Sequence, residues 1–236
     1  MFILRQMIII KNLTKKYDNI IALNNVNFIF PNKEVTAIMG ENGAGKSTLL
    51  KICAGVISFD FGEVKIDEYS IINDSIKALT NLGYLPEMPY MYDRLTGREF
   101  IYYIGSLRKL KDIDIKINQL SNILDIDDFL DYELGSYSKG MKQKISLISS
   151  IIHKPNNLLL DEPVWGLDPL TSKTLKTFIK ARKGTTVIAT HSPQLVEQVA
   201  NEVYFLKKGE IVSSGGVNKY IEKYGNIEEA YFSEAE

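Results

Sequence analysis

Short apolar runs separated by turn residues recur along most of the chain. Runs of this length that are rich in Ile, Val and Leu and bounded by Asn, Asp, Gly or Pro are typical of β-strands. The strands predicted in this way are residues 8–13, 26–30, 35–39, 63–67, 82–85, 157–160, 185–190, 203–207 and 210–213. The last two are predicted to form a hairpin around Lys208 and Gly209.

Segments with helical periodicity lie between these strands. Thr96 and Glu99 form the capping-box pattern T-x-x-E, and Ser138 and Pro155 bracket another helix. The predicted helices are residues 47–54, 96–109, 114–124, 138–153, 171–182, 193–200 and 217–224. Strands that alternate with helices indicate an α/β fold with a parallel sheet covered by helices. The acidic end, residues 231–236, is expected to be frayed.

Composition excludes several classes of protein. The chain has 236 residues, 45% of them hydrophobic, which is ample for a globular core. A net charge of -1 provides no electrostatic footprint for nucleic acid along a whole face, although a local basic patch stays open. No apolar stretch approaches the 18 residues of a membrane span. The only cysteine, Cys53, allows no intrachain disulfide, so a reducing, cytoplasmic compartment is expected.

The first ten residues are apolar but interrupted by Arg5 and Gln6. They lack the basic start and the small-residue cleavage site of a signal peptide, so they predict a strand. Met7 is an equally good start of the chain, because the recognisable pattern begins there.

A glycine-rich stretch follows the strand predicted at residues 35–39 and matches the P-loop pattern G-x-x-x-x-G-K-[ST]. Its residues are Gly40, Glu41, Asn42, Gly43, Ala44, Gly45, Lys46, Ser47 and Thr48. Glycines let the backbone N–H groups surround a phosphate at the start of the next helix. Lys46 is predicted to reach the β- and γ-phosphates of ATP, and Ser47 to offer its hydroxyl to Mg²⁺. The alternative is a glycine-rich turn, which the flanking strand and helix disfavour.

Two further strands are predicted to deliver chemistry to the same place. Asp161 ends a buried strand, where ligands collect in open parallel sheets, and is predicted to hold Mg²⁺ opposite Ser47. Glu162 follows as the candidate to polarise an attacking water. His191 follows the strand at residues 185–190 and is predicted to contact the γ-phosphate. The alternative for Asp161 and Glu162 is an acidic strand end that serves solubility, and the alternative for His191 is a structural role. The P-loop earlier in the sequence favours a functional role for all three.

A second motif lies at the start of the helix predicted at residues 138–153. Tyr137-Ser-Lys-Gly-Met resembles the L-S-G-G-Q signature of the ATP-binding subunits of ABC transporters. Ser138 and Gly140 match the signature, whereas Tyr137, Lys139 and Met141 depart from it. A plain helix cap is the alternative, but Asp161 follows Ser138 at the spacing of that family. The Lys and Met form resembles the branch that serves separately encoded export permeases.

The resemblance covers roughly residues 7–216 and implies a fold. That fold is an α/β P-loop NTPase (RecA-like) core with a mainly parallel sheet, a small N-terminal antiparallel β subdomain and an inserted α-helical subdomain. The implied divisions of a single domain are residues 1–92 and 151–216 for the ATP-binding core, 93–150 for the helical signature lobe, and 217–236 for a C-terminal helix and tail.

The resemblance also implies roles for single residues. Tyr17 matches the aromatic residue that stacks on adenine, with an ordinary surface tyrosine as the alternative. Residues 166–168 match a loop that crosses between two subunits, and the neighbouring Trp165 is unusual for the family. Glu87 stands where the family has Gln, and is predicted to contact Mg²⁺ and to make turnover more dependent on it. Alternatively, Glu87 points to solvent.

The implied partners are a second ATPase subunit, identical or homologous, and an integral-membrane permease, here of an exporter. Each of two ATP molecules would lie between the P-loop of one subunit and Ser138 or Gly140 of the other. The permease is expected near residues 86–96, although the aromatic residues there could instead pack the helical lobe on the sheet. The expected location is peripheral, on the inner face of the cell membrane. A soluble ABC ATPase outside transport, an ATP-binding regulatory module and, more weakly, a P-loop kinase are the alternatives.

Overall fold

The computed structural model describes residues 7–235, so residues 1–6 of the strand predicted at residues 1–10 lie outside the described part. The strands are β1 (Ile8–Tyr17), β2 (Ile20–Phe30), β3 (Val35–Met39), β4 (Phe61–Ile66), β5 (Tyr69–Ser70), β6 (Leu82–Leu85), β7 (Asn157–Asp161), β8 (Thr185–Thr190), β9 (Glu202–Lys207) and β10 (Glu210–Gly216). The α-helices are α1 (Lys46–Cys53), α2 (Ser75–Thr80), α3 (Gly97–Leu107), α4 (Ile113–Ile123), α5 (Lys139–Ile151), α6 (Pro169–Ala181), α7 (Pro193–Val199), α8 (Val217–Tyr224) and α9 (Ile227–Ala235).

The larger sheet has the strand order β10-β9-β3-β8-β7-β6. Neighbouring strands from β9 to β6 are parallel, and β10 pairs antiparallel with β9. Every residue of β3, β7 and β8 is buried, which explains their nearly continuous apolar runs, since a parallel sheet is covered on both faces. The predicted parallel sheet is confirmed.

The smaller sheet is antiparallel, with the order β2-β1-β4-β5. It lies over α1, whose apolar side chains Leu49, Leu50 and Ile52 are fully buried in one hydrophobic cluster with residues of both sheets. Cys53 is buried there too, as expected of a structural cysteine. Packing on both sides therefore fixes α1, and with it the loop that precedes the helix.

The predicted strands at residues 8–13 and 26–30 were too short. The hairpin of β1 and β2 extends to a turn after Tyr17. Asn12 and Asn25 adopt left-handed φ angles of 49° and 51°, and the β1–β2 pairing shifts its register along the hairpin. These irregularities break the alternation of apolar and polar residues, so the outer half of the hairpin carries no strand pattern. The short elements β5 and α2 were also missed.

The helical segment between β6 and β7 contains α3, α4 and α5, which pack together on one hydrophobic cluster. The capping box at its start is confirmed: Thr96 Oγ1 accepts from the Glu99 N–H (3.1 Å), and a Glu99 carboxylate oxygen accepts from the Thr96 N–H (2.9 Å). Arg108, after α3, donates to the carbonyls of Leu79, Thr80 and Leu82. This guanidinium ties the helical segment to the sheet.

The expectation of a frayed C-terminus was wrong within the described residues. The helix predicted at residues 217–224 is α8, and a further helix, α9, follows it. Ile227 and Ala230 are fully buried, and the Tyr231 ring packs edge-on against Phe205, with centroids 5.5 Å apart. Glu234, an acidic residue of this segment, accepts hydrogen bonds from the Ser213 and Tyr224 hydroxyls, so it takes part in the packing of α9.

His153 follows α5, at the last residue of the helix predicted at residues 138–153. Its Nε2 lies 3.0 Å from the Leu82 carbonyl oxygen, which can only accept, so this nitrogen carries the proton. The pKa of His153 is lowered to about 4, mainly by burial and to a smaller extent by the nearby Arg108 and Arg182 guanidinium groups. The ring is therefore neutral in the folded chain at neutral pH.

This lowered pKa predicts a loss of stability in acid. Between pH 6.5 and about 4 the unfolded chain binds a proton at His153 that the folded chain does not. The stability that the neutral ring contributes is therefore complete above pH 6.5 and is lost as the pH falls towards 4. We expect the free energy of unfolding to fall less steeply for His153→Gln over this range, by about 1–2 kcal/mol after discounting for solvent screening. Urea titrations of both proteins at several pH values measure this difference, and parallel curves would contradict it.

Candidate nucleotide-binding site

The ends of three parallel strands place the predicted site residues at one edge of the larger sheet. Met39 pairs with Thr190, and Asp161 pairs with Ala189. Because β3, β7 and β8 run in the same direction, the residues that follow them emerge side by side. The P-loop, Glu162 and His191 are brought together in this way.

A cavity of about 710 Å³ opens at this edge. The predicted site residues that line it are Asn42, Gly43, Gly45, Lys46, Ser47, Thr48, Glu87, Glu162 and His191. The others that line it are Ile20, Ile21, Ala22, Trp165 and Lys208. A volume of this size is ordinary for a small-molecule site.

The P-loop requires glycine at its last turn. Gly45 has a φ of 109°, and a Cβ there would lie 2.4 Å from the Ala22 carbonyl oxygen. No side chain caps the start of α1, so its first N–H groups remain available to an anion at the positive end of the helix. Gly40, Glu41 and Ala44 complete the loop without lining the cavity.

The Lys46 ammonium group lies inside the loop. Its Nζ donates to the carbonyls of Gly40 (2.7 Å) and Glu41 (2.9 Å), and the residue is buried. Burial lowers the pKa of Lys46, against the opposing effect of the negative charges of Glu162 and Asp161. The ammonium therefore closes the loop around the space that an anion would occupy.

The Ser47 hydroxyl donates to Asp161 Oδ1 at 3.0 Å, so the two residues predicted to hold Mg²⁺ lie side by side. Asp161 is fully buried, and the pKa of its carboxyl group is raised to about 6, mainly by burial and to a smaller extent by the Glu87 and Glu162 charges. Asp161 Oδ2 has no hydrogen-bond partner within residues 7–235.

These groups fit Mg²⁺. A buried carboxylate oxygen without a partner and a hydroxyl beside it are hard oxygen donors, and the negative charges of Glu87 and Glu162 act on the same place. The described residues contain no cluster of three or more His, Cys, Asp or Glu arranged to hold a metal alone. Mg²⁺ at this place would therefore share its coordination with phosphate oxygens and water, which is its usual behaviour beside a nucleotide.

Glu162 is held rigidly at the cavity wall. Its Oε1 accepts from the main-chain N–H of His191 (2.9 Å) and lies 2.7 Å from His191 Nδ1, and its Oε2 accepts from the Thr190 hydroxyl (3.0 Å). Its φ of 46° lies in the left-handed region, which is costly for a residue with a side chain. The Glu162 N–H donates to the Ala189 carbonyl at 2.9 Å, so β8 supports this conformation.

The signature residues lie at the start of α5, outside the lining of the cavity. Ser138 caps α5, and its hydroxyl accepts from the Met141 N–H at 3.2 Å. Gly140 approaches the Gly166 carbonyl so closely that a Cβ would lie 2.6 Å from this oxygen. Neither Ser138 nor Gly140 lines the cavity.

Tyr17, the predicted contact of adenine, also lies away from the cavity lining. It ends β1, and the ammonium of Lys15 lies 4.9 Å from the centre of its ring. Its stacking on adenine stays a prediction. The predictions also missed Ile20 and Ile21, exposed apolar side chains beside the turn, and Lys208, whose turn was recognised but not its place beside the P-loop.

A P-loop between a parallel strand and a helix, with an acidic strand end beside it, defines a P-loop nucleotide-binding protein. The ABC transporter family model matches residues 23–165. The chain belongs to the ABC transporter family and is an ATP-binding subunit, an ABC ATPase. The fold implied by the signature motif is thereby confirmed.

Two curated relatives from Bacillus subtilis match most of the chain. The uncharacterized ABC transporter ATP-binding protein YxlF is 34% identical over 213 residues, which are 89% of this chain and 70% of that protein. The ABC transporter ATP-binding protein NatA is 30% identical over 207 residues, 85% of this chain and 84% of that protein.

Solved structures agree with this. An ATP binding subunit of an ABC transporter superposes with a TM-score of 0.90 at 25% identity, covering 98% of this chain and 100% of that chain. The ATP-binding cassette MJ0796, in a dimeric post-hydrolysis state bound to ADP and Pi, superposes with a TM-score of 0.82 at 24% identity, covering 89% and 98%. Within residues 7–235, no helix combines the length and apolarity needed to cross a membrane.

The contact between Gly140 and Gly166 predicts that a methyl group at position 140 is not tolerated. Gly140→Ala should lower the free energy of unfolding by about 1–3 kcal/mol, because the new Cβ overlaps a carbonyl oxygen. Gly216→Ala is the matched control: Gly216 has a φ of −64°, and its nearest neighbouring atom would lie 3.6 Å from the Cβ. Urea unfolding measures both, and equal stabilities of the two variants would refute the packing argument.

Proposed function

We propose that the chain hydrolyses ATP as one of a pair of such subunits and that this drives a membrane permease of an exporter. The observation that carries the proposal is the placement of Glu162. Its carboxylate is fixed on both oxygens by β8 and lines the same cavity as the P-loop. A carboxylate held beside a phosphate site is suited to orient water for attack on the γ-phosphate.

The P-loop supplies the binding half of this mechanism. Lys46 and the first N–H groups of α1 neutralise phosphate charge, while Ser47 and Asp161, with Glu87 at the cavity wall, would hold Mg²⁺. When bound, Mg²⁺ neutralises charge that develops on the phosphate oxygens. Tyr17 remains the proposed adenine contact.

His191 supplies a charge-dependent contact. Its Nδ1 donates to Glu162, because a carboxylate accepts, and so Nε2 carries a proton only when the ring is charged. A hydrogen bond from Nε2 to a γ-phosphate oxygen therefore requires a ring that carries a proton on both nitrogens. The ring is more than half exposed, so it is accessible to a nucleotide.

The position of the signature residues supports a pair of subunits. Ser138 and Gly140 lie outside the cavity of their own chain, which supports the proposal that they contact the nucleotide of a second chain. The similar cassette MJ0796 is described as a dimer. We propose that each P-loop faces Ser138 of the partner, in a homodimer or with a homologous subunit.

The first experiment measures Mg²⁺-dependent ATP hydrolysis against protein concentration. We expect the rate to rise faster than linearly, because the active species is a pair. Glu162→Gln should lower turnover by a factor of about 10² or more while ATP binding persists, since general-base assistance is worth about 10²–10⁴. Lys46→Ala should instead weaken binding.

Glu222→Gln, at an exposed position of α8, is the matched control and should hydrolyse ATP at the normal rate. If Glu162→Gln retains full turnover, Glu162 does not orient the water. Tight ATP binding without hydrolysis, even with the membrane fraction added, would favour the regulatory-module alternative.

A permease surface is proposed around the segment before α3. Tyr90 is 89% exposed and lines two grooves, and Tyr92 packs edge-on against Tyr103 in one of them. The exposure of Tyr90 argues against a role in packing the helical segment on the sheet. Through this surface the chain would lie on the inner face of the membrane, and the Lys and Met form of its signature supports an export permease.

Tyr90→Glu tests this surface. A buried carboxylate at an apolar interface is costly, so the variant should lose permease-coupled transport while the purified chain keeps its basal ATP hydrolysis and its stability. Tyr132→Glu, at an exposed tyrosine of the same helical segment, is the matched control and should transport normally. Unimpaired transport by Tyr90→Glu would rule this residue out of the interface.

A further inference from the structure

Trp165 joins the wall of the nucleotide cavity to the turn that carries Glu162. It is the only tryptophan of the chain. Its main-chain N–H donates to the Glu162 carbonyl at 3.1 Å, and its side chain, 41% exposed, lines the cavity. Any displacement of Trp165 is therefore transmitted to the residue proposed to orient water.

The same indole ring contacts the signature helix. The Lys139 ammonium, on the first residue of α5, lies over the face of the Trp165 ring. A cation at a helix N-terminus is repelled by the helix dipole, and no carboxylate within residues 7–235 forms an ion pair with Lys139. The aromatic face is thus the contact that stabilises this ammonium.

Two more contacts bind the same elements. The backbone of Gly140 touches the Gly166 carbonyl, and the Lys144 ammonium lies 3.2 Å from an Asp168 carboxylate oxygen. The start of α5 and the loop of residues 165–168 therefore form one packed unit. We call it the α5 junction.

We infer that Trp165 is a positioning residue that fixes the start of α5, including Ser138, relative to Glu162 and the nucleotide cavity. It is not a catalytic residue, since it acts through Lys139 and the Glu162 turn. Nucleotide in the cavity contacts the edge of the α5 junction, so binding is transmitted to the signature helix of the same chain. The expected effect on turnover rests on the proposed function. The contact between Lys139 and Trp165 does not depend on that function.

Intrinsic fluorescence tests the inference directly, because all indole emission comes from Trp165. Titration with MgATP should change the emission saturably, with the midpoint found for binding of a fluorescent ATP analogue. Without nucleotide, Lys139→Met should change the emission because it removes the ammonium, whereas Lys139→Arg should retain it. Lys111→Met, at an exposed lysine in the loop before α4, is the control and should leave the emission unchanged.

Steady-state kinetics separate positioning from binding. Trp165→Ser and Lys139→Met should lower kcat about tenfold while the KM for ATP changes less than about twofold, because misplacement of the catalytic groups slows turnover without weakening nucleotide binding. Trp165→Phe and Lys139→Arg keep an aromatic face and a cation, and should recover most of the lost turnover. Circular dichroism shows whether each variant is folded. If Trp165→Ser does not fold, the kinetics of Trp165→Phe and of the Lys139 variants still test the inference.

The outcomes are distinguishable. The inference would be overturned if Trp165→Ser and Lys139→Met both had a normal kcat, or if Trp165 fluorescence did not change when MgATP binds. Either result would leave the proposed function intact. If the wild-type chain neither binds nor hydrolyses ATP, the proposed function fails. In that case equal emission of Lys139→Met and the wild type would also disprove the α5 junction, and a difference would support it.

Discussion

Burial of opposite charges at one edge of the sheet is the constraint on which the site depends. Lys46, Asp161 and Glu162 are all nearly inaccessible to solvent, and isolated charges so placed would be costly. Each is compensated locally: Lys46 by loop carbonyls, Asp161 by the Ser47 hydroxyl, and Glu162 by β8. The compensation is incomplete at Asp161, whose raised pKa and unpaired oxygen mark the place where a cation would be stabilising. The fold therefore places an incompletely compensated buried carboxylate at the position where a bound nucleotide with its cation would stabilise it.

The arrangement of strands makes this possible. The P-loop, Glu162 and His191 are far apart in the sequence, and parallel pairing of β3, β7 and β8 brings them to one edge. Helix α1 is clamped between two sheets, so the loop before it cannot move independently. Rigid strand ends and a clamped helix provide the fixed positions that electrostatic catalysis of phosphoryl transfer requires.

The parts that could be predicted from the sequence are those buried on both sides or set by a local pattern. The bounds of β3, β6 and β8 match their predictions, because continuous apolar runs have one interpretation in a covered parallel sheet. The hairpin of β1 and β2 was predicted too short, because its irregular backbone breaks the strand pattern. Helix α9 was missed, because its sequence is rich in glutamate and was interpreted as an unpacked acidic end. Similarly, the P-loop could be predicted from its local motif. Ile20 and Lys208 also line the cavity, but they lie at turns that are distant in the sequence, and no local pattern indicates that they meet.

The left-handed backbone conformation of Glu162 connects the nucleotide cavity to the start of α5. A non-glycine residue in that region persists only if its surroundings hold it, and here β8 supplies hydrogen bonds to its main chain and side chain. The turn that this conformation begins carries Trp165 and Gly166 directly against the start of α5. Because Gly140 leaves no free space at that contact, a shift of α5 must either move the turn or break the stack on Trp165. The strained residue that faces the phosphate site and the helix that carries Ser138 are therefore mechanically connected within one chain.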